Sequence, residues 1–132
     1  MKIHEFQAKD ILSKCGVPVP KAILATTPEM AKQAVAVLGP RVVVKAQVHA
    51  GGRGKAGGIK VACSAEEARV VAESMLGSRL ITPQTGVEGI PVHQVLIEEA
   101  LDITRELYLA VMVDGAVGRS VVIASDSGGT EI

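Results

Sequence analysis

The pattern of apolar positions changes several times between helical spacing and strand-like runs. In residues 3–15, apolar side chains fall near one face at helical spacing, and Gly16 is expected to end that helix. Thr27 before Pro28 predicts a second helix start, because threonine caps helices and proline fits their first turn. The capping pattern of residues 64–67 predicts a third helix.

Strand-like segments lie between and after the predicted helices. The run Val42–Val44 is continuous and β-branched, which is typical of a buried strand. Apolar residues from Leu107 to Val113 alternate with their neighbours, which predicts a strand with one buried face. Asp114-Gly115 is expected to turn this strand into a hairpin. Other apolar runs predict further strands at residues 22–25, 59–62, 92–97 and 121–123.

Length and composition exclude several classes of protein to which the chain could belong. A chain of 132 residues is long enough for one domain and short for two. Hydrophobic residues make up 48% of it, which excludes a disordered protein. The 14 basic and 14 acidic residues balance, and aromatic residues are only 2%, so we expect no nucleic-acid partner. No apolar run approaches the ~20 residues of a membrane span, so no membrane partner is expected either.

Cys15 and Cys63 lie far apart and form no C-x-x-C pair. We expect them to be buried free thiols of a protein in the reducing cytoplasm. Residues 1–5 contain no apolar signal core. The chain stops just after Ser127-Gly128-Gly129, a type of loop that ordinarily leads to another element, so we expect a longer native chain.

The segment Gly51–Gly58 contains five glycines together with Arg53 and Lys55. It is not a Walker loop, because Ala56 follows the lysine. It meets the Rossmann glycine spacing, but a strand is predicted at residues 59–62, where that motif needs a helix. The pattern fits a glycine-rich lid between two antiparallel strands, whose amides approach phosphates without Cβ clashes. A flexible surface hairpin and an RNA-binding loop are the alternatives.

Charged residues near this loop are candidates for phosphate binding. Lys45 ends the preceding strand and can direct a fixed charge into a cleft, while the planar donors of Arg53 match a phosphate. Acidic residues follow the strand at 92–97, and there they could bind a ribose or simply form a solvated turn: Glu98, Glu99, Asp102 and Glu106. The three histidines are scattered without metal-ligand spacing: His4, His49 and His93.

Three segments together resemble one known family. The chain opens with His4-Glu5-x-Gln7-Ala8-Lys9, the run Val48–Gly58 follows a Val-Val-Val-Lys strand, and a third segment comes later: Asp102-Ile103-x-x-Glu106-Leu107-Tyr108-Leu109. The combination resembles the N-terminal part of the β subunit of succinyl-CoA synthetase, the ADP-forming succinate–CoA ligase. The β subunit of malate–CoA ligase shares the pattern.

The resemblance implies an α+β chain with the ATP-grasp fold, in which two lobes clamp a nucleotide. It would place a lid lobe at about residues 20–100 and the start of the second lobe in residues 1–19 and 101–132, with the C-terminal CoA-ligase domain outside this chain. The complete enzyme would join succinate to coenzyme A with ATP and Mg in the citric acid cycle. Its partner would be an α subunit that carries a phosphohistidine, in a heterodimer or heterotetramer.

The resemblance also implies roles for single residues. Phosphates would be contacted by Lys45 and by three consecutive loop residues: Gly52, Arg53 and Gly54. The Mg ligands would lie beyond Ile132, so no residue of this chain is assigned to the metal, and none is assigned a catalytic role.

The base and the ribose would be bound after the glycine loop. Glu98 and Leu101 would lie along the base, and Glu106 would hold the ribose. Leu101 stands where a more polar residue is expected, so only its backbone suits that contact. Pro20 matches the residue at the same position in the adenine-preferring members of the family. A proline has no N–H with which to reach the substituents of guanine, so the resemblance implies a preference for ATP.

Two other functions stay open at this point. The chain could belong to a malate–CoA ligase, because the acyl substrate is bound elsewhere, or it could be a free-standing ATP-binding module without ligase activity. By itself, the 132-residue chain is expected to be catalytically inactive, since the metal ligands, the phosphohistidine and the coenzyme A site are outside it.

Overall fold

The computed structural model describes residues 2–129, and the chain divides into two compact units, Met1–Leu101 and Asp102–Ile132. Helices and strands follow in the order α1 (Glu5–Lys14), β1 (Ala22–Ala25), α2 (Pro28–Leu38), β2 (Val42–Ala46), β3 (Ile59–Ala62), α3 (Ala65–Met75), β4 (Arg79–Leu80), β5 (Ile90–Pro91), β6 (Val95–Glu99), β7 (Tyr108–Asp114) and β8 (Arg119–Ser125). The assignment of residues 1–19 and 20–100 to different lobes stays a prediction.

The first unit is built on an antiparallel sheet in the order β1-β6-β2-β3. β6 lies between β1 and β2, with Val95 opposite Ala25 on one side and Ile97 opposite Val44 on the other. The predicted strands of this region are confirmed, although β6 begins at Val95 rather than at Val92. Its neighbours in the sheet therefore come from much earlier in the chain.

Helices α2 and α3 pack against each other and against this sheet, and both begin at the predicted cap. Oγ1 of Thr27 accepts a hydrogen bond from the backbone N–H of Met30 at 3.2 Å. Oγ of Ser64 accepts one from the N–H of Glu67 at 3.1 Å. The carboxylate of Glu67 accepts from the N–H of Cys63 at 2.7 Å, one residue before the position that a capping box predicts.

The core of the first unit is built mainly from alanine and valine side chains, in keeping with the low aromatic content. Its largest fully buried members come from the sheet and from one connection: Val42, Val44, Val92, Val95 and Ile97. Helix α1, all of which is described, contributes no buried side chain. Within residues 2–129, no helix has the length and apolar composition needed to cross a membrane.

Both cysteines are exposed, so the expectation of buried thiols is wrong. Cys15 is the residue that caps the end of α1, a helix with no buried face. Cys63 follows Ala62, which is buried at the end of β3, and the alternation of a strand turns the next side chain outward. Both residues therefore lie at the ends of elements, where apolar character does not bring burial.

The second unit contains a hairpin in which β7 pairs with β8, with Asp114 opposite Arg119. The predicted turn is confirmed, and Oδ1 of Asp114 accepts a hydrogen bond from the N–H of Ala116 at 2.8 Å. The prediction of one buried face is wrong: Leu109, Val111 and Val113 are 70%, 71% and 70% exposed. Alternation predicted the strand correctly, but within the described residues no second layer covers either face of the hairpin.

Candidate functional site

The glycine loop, residues 51–58, joins β2 to β3, which pair directly as antiparallel neighbours. A strand therefore follows the loop, where a dinucleotide-binding turn would lead into a helix. This confirms the strand–loop–strand arrangement expected of a glycine-rich lid, and the Rossmann arrangement is excluded for this segment.

Backbone hydrogen bonds close the glycine loop. The N–H of Gly58 donates to the carbonyl of Arg53 at 2.8 Å, and the N–H of Ala46 donates to the carbonyl of Gly58 at 2.8 Å. Gly52 and Gly57 have φ of 75° and 76°, a conformation that residues with a side chain rarely adopt. These two positions need glycine for the turn itself, independently of any ligand.

Lys45 lies on β2 just before the loop, and its side chain is 17% exposed. Its Nζ is 2.6 Å from Oε1 of Glu98 and 3.2 Å from Oε1 of Glu5. Burial lowers the pKa of Lys45, and the nearby Glu5 carboxylate opposes that change. The lysine is therefore held at this strand end between two carboxylates.

Arg53 folds back from the loop toward β2 and α1. Its Nη1 donates to the carbonyl of Ala46 at 2.7 Å, and its Nη2 donates to Oε2 of Glu5 at 2.7 Å. The carboxylate of Glu5 consequently bridges Arg53 and Lys45, the two cations predicted from the sequence to bind phosphate.

Five side chains form what we call the ion-pair cluster: Glu5, Lys9, Lys45, Arg53 and Glu98. Nζ of Lys9 lies 3.0 Å from Oε1 of Glu5 and also pairs with Oε2 of Glu98. Burial alone would raise the pKa of Glu5, but the charge of Lys45 and the hydrogen bonds from Lys9 and Arg53 lower it to about 2. Glu5 is thus a firmly ionised carboxylate in a partly buried cationic setting.

Gln47, which is 2% exposed, joins α1 to the end of β2. Its Oε1 accepts a hydrogen bond from the N–H of Phe6 at 3.2 Å, and its Nε2 donates to the carbonyl of Lys45 at 3.1 Å. The first turn of a helix has N–H groups without helical partners, and Gln47 satisfies one of them. This contact fixes the turn of α1 that carries Glu5.

The remaining predicted site residues have different environments. Glu98 is 5% exposed, with its carboxylate engaged by Lys45 and Lys9, while Leu101 is 53% exposed at the end of the first unit. Glu106 belongs to the second unit and is exposed there. The structure therefore brings Lys45, the loop arginine and Glu98 together in one unit.

A cleft of about 450 Å³ lies in the first unit beside the ion-pair cluster. Its apolar walls come from α1, from the connection after it and from strands β1 and β6: Phe6, Pro20, Leu24 and Leu96. Lys9 also lines the cleft, so the cleft and the cluster share a side chain.

Two of the three histidines, which appear scattered in the sequence, meet in the structure. Nε2 of His4 is 2.9 Å from Nε2 of His49, with the two rings edge to face. Burial, followed by the charges of His49 and Arg53, lowers the pKa of His4. Among residues 2–129, no three His, Cys, Asp or Glu side chains are grouped as metal ligands.

The chain is similar to a known protein family along its length. The family model of the ATP-grasp domain matches residues 2–132. The chain belongs to the ATP-grasp family. The mixed helices and strands and the glycine-rich loop between antiparallel strands agree with that membership.

Two similar relatives of this ATP-grasp chain carry the same name. The succinate–CoA ligase (ADP-forming) subunit beta of Chlorobium phaeovibrioides is 53% identical over 137 residues, covering 100% of this chain and 35% of its own. The protein of the same name from Anaeromyxobacter dehalogenans is 56% identical over 133 residues, covering 100% and 34%. The chain therefore spans about a third of the length of the curated relatives it matches.

A solved structure is similar to this ATP-grasp chain as well. It is the dinucleotide forming acetyl-coenzyme A synthetase 1 of Ca. Korarchaeum cryptofilum, in complex with coenzyme A, Ca-AMPCP and HgCl+. The TM-score is 0.74 and the identity 25%, over 94% of this chain and 53% of that chain.

Sequence reasoning missed part of the candidate site. No site role was predicted for Glu5 and Lys9, which entered only as part of the opening motif. Their spacing of four residues nevertheless places them on one face of α1. Gln47 gave no signal at all, because its role depends on a contact with Phe6 across 41 residues of sequence. The helical spacing of Glu5 and Lys9 was the available sign that these two side chains lie together.

Proposed function

We propose that this chain is the nucleotide-binding part of the β subunit of an ADP-forming succinate–CoA ligase. The observation that carries the proposal is the convergence of Lys45 and Arg53, 3.2 and 2.7 Å from one carboxylate, at the base of a glycine loop in an ATP-grasp chain. The names of relatives 53–56% identical over the whole chain support the substrate assignment.

In this function, Lys45 and Arg53 neutralise the nucleotide phosphates, and the amides of Gly52 and Gly54 approach them closely. A lysine and a planar guanidinium are the side chains best suited to phosphate oxygens. The base lies along Glu98 and Leu101. Leu101 contributes its backbone, while the Glu98 carboxylate is engaged by two lysines and its strand is paired on both sides. We assign the ribose to Glu106.

The cleft that contains Pro20 is our proposed place for the adenine ring. Its apolar walls suit a flat heterocycle, and proline offers no N–H to the substituents of guanine. We expect the complete enzyme to prefer ATP to GTP, as measured by kcat/KM for each nucleotide. Equal values for the two would remove Pro20 from this role.

The whole enzyme would convert succinate, coenzyme A and ATP to succinyl-CoA, ADP and phosphate in the cytoplasm. An α subunit would supply the phosphohistidine and the coenzyme A site. Mg would neutralise phosphate charge when bound. The described residues offer no group of metal ligands, so no step is assigned here to a metal held by this chain.

The experiment is ATP binding to the full-length protein that contains this chain, measured by calorimetry. A charge-assisted contact is worth roughly 1.5–3 kcal/mol, so Lys45→Ala should weaken ATP binding about ten- to a hundredfold. Lys32→Ala is the matched control, because Lys32 is 42% exposed on α2 and pairs with Glu66 at 3.1 Å, and neither residue lines the cleft. Unchanged affinity in Lys45→Ala would refute the assignment.

A further inference from the structure

We propose that Glu5 is a positioning residue, which holds Lys45, Arg53 and the glycine loop in the arrangement that binds nucleotide phosphates. The inference rests on the proposed function, because it specifies how that site is assembled. Glu5 lies on α1, outside the strands and loop that carry the phosphate-binding residues.

Glu5 joins three separate elements through its two carboxylate oxygens. Oε2 accepts from Nη2 of Arg53 in the loop at 2.7 Å, while Oε1 lies 3.2 Å from Nζ of Lys45 on β2. The same Oε1 lies 3.0 Å from Nζ of Lys9 on its own helix. One carboxylate thereby sets the distance between a cation of the strand and a cation of the loop.

The contacts of Arg53 favour a positioning role over competition with phosphate. A guanidinium carries five N–H donors, and within the described residues the contacts to Ala46 and Glu5 use two of them. The ion-pair cluster has three cations and two carboxylates, so one positive charge remains for an incoming anion. Phosphate can therefore bind while Glu5 stays in place.

The helix that presents Glu5 is itself fixed to the strand end. Gln47 accepts the N–H of Phe6, the residue after Glu5, and donates to the carbonyl of Lys45. Because Gln47 is buried, this link has a defined geometry. The helix turn that carries Glu5 is therefore fixed to the end of β2 through Gln47.

Loss of the Glu5 charge has two consequences for the site. Nη2 of Arg53 then loses its carboxylate. The Ala46 contact, the backbone bonds of the loop and the hydrogen bond from the N–H of Gly51 to Oε1 of Gln84 at 2.8 Å remain, but none of them fixes the end of the guanidinium that bears Nη2. Lys45 keeps only Glu98 as a carboxylate neighbour within the described residues. Both cations then sample more orientations, and phosphate binding must pay the cost of ordering them.

The test uses the full-length protein with Glu5→Gln, which removes the charge and keeps the shape. We expect faster hydrogen exchange over residues 51–58 without nucleotide, and ATP affinity about tenfold weaker by calorimetry. In the assembled enzyme, KM for ATP should rise while kcat changes little. Glu5→Asp keeps the charge on a shorter side chain, so its affinity should fall between those of Glu5→Gln and the unsubstituted protein.

Glu73→Gln is the matched control, because Glu73 is 60% exposed on α3 and pairs with Arg69 at 3.1 Å. It should leave exchange in the loop and ATP affinity unchanged. Tighter ATP binding by Glu5→Gln would overturn the inference, since Glu5 would then compete with phosphate. Unchanged exchange and affinity in both Glu5 variants would overturn it while leaving the proposed function intact. Failure of the unsubstituted protein to bind ATP would overturn the proposed function and this inference with it.

Discussion

Strands β2 and β7 both carry valines at alternating positions, but the two strands have very different surroundings. In β2, Val42 and Val44 are fully buried, whereas in β7 Val111 and Val113 are 71% and 70% exposed. β2 lies inside a sheet covered by helices, while β7 pairs only with β8 within the described residues. Within the described residues, β2 is paired on both edges and covered by a layer that removes its side chains from water, whereas β7 is paired on one edge and has no such layer.

The largest effect that separates the two regions should come from removing a core side chain. Ile97→Ala leaves a cavity in the middle of the sheet, so the free energy of unfolding should fall by about 2–5 kcal/mol. Ile123→Ala is the matched change in β8, where the side chain is 44% exposed, and should cost less than about 1 kcal/mol. Urea unfolding of the 132-residue chain measures both. Equal losses would show that the hairpin is packed as firmly as the sheet.

Acid should weaken the first region through Glu5. The pKa of Glu5 is about 2 in the folded protein and near 4.5 when unfolded, so its stabilising effect is complete above about pH 4.5 and is lost as the pH falls toward 2. The difference in unfolding free energy between the unsubstituted protein and Glu5→Gln should therefore shrink over that interval. A difference that stays constant from pH 7 to pH 2.5 would contradict the ionised state assigned to Glu5.

A smaller effect is expected from the link between α1 and β2. Gln47→Met keeps the size of the side chain but leaves the N–H of Phe6 and the carbonyl of Lys45 without it, at a cost of about 1–3 kcal/mol. Gln33→Met on the exposed face of α2 should change stability by no more than about 0.5 kcal/mol. Chemical denaturation of the two variants compares a buried glutamine that links α1 to β2 with an exposed glutamine on α2. Equal stability of the two variants would show that the hydrogen bonds of Gln47 do not stabilise the link between α1 and β2.

The smallest effect should come from the exposed face of the hairpin. Val111→Thr keeps the β-branched shape at a position that is 71% exposed, so we expect a change within about 0.5 kcal/mol. Val44→Thr at a fully buried position should be clearly destabilising, because the added hydroxyl is taken out of water. Thermal unfolding of the pair gives the comparison. A large loss for Val111→Thr would mean that the side chain is covered after all.

Sequence reasoning was most successful where the signal is local. The caps at Thr27 and Ser64, the strands around the glycine loop and the turn at Asp114 each depend on a few neighbouring residues. Burial could not be predicted in the same way, because it depends on which layers meet. Cys63 and Val111 are both apolar, and both are exposed.

The contacts that organise the candidate site are long-range. Glu5 meets Arg53 across 48 residues of sequence, and His4 meets His49 across 45. Neither pair has a spacing that a pattern search detects, so these partners became visible only once α1 was placed beside the end of β2. Lys45 could be proposed from the sequence because it lies near the end of the strand that leads into the glycine loop.

The central place of β6 has a consequence for how the chain reaches its fold. β6 enters between β1 and β2, although its residues come about 70 positions after their partners in β1. At synthesis rates of roughly 5–20 residues per second, β1 and β2 leave the ribosome several seconds before that strand exists. Until then, each exposes an unpaired edge, and β2 can pair only with β3. The sheet must therefore close late, by insertion of its middle strand, and pairing over such a long separation makes that closure slow.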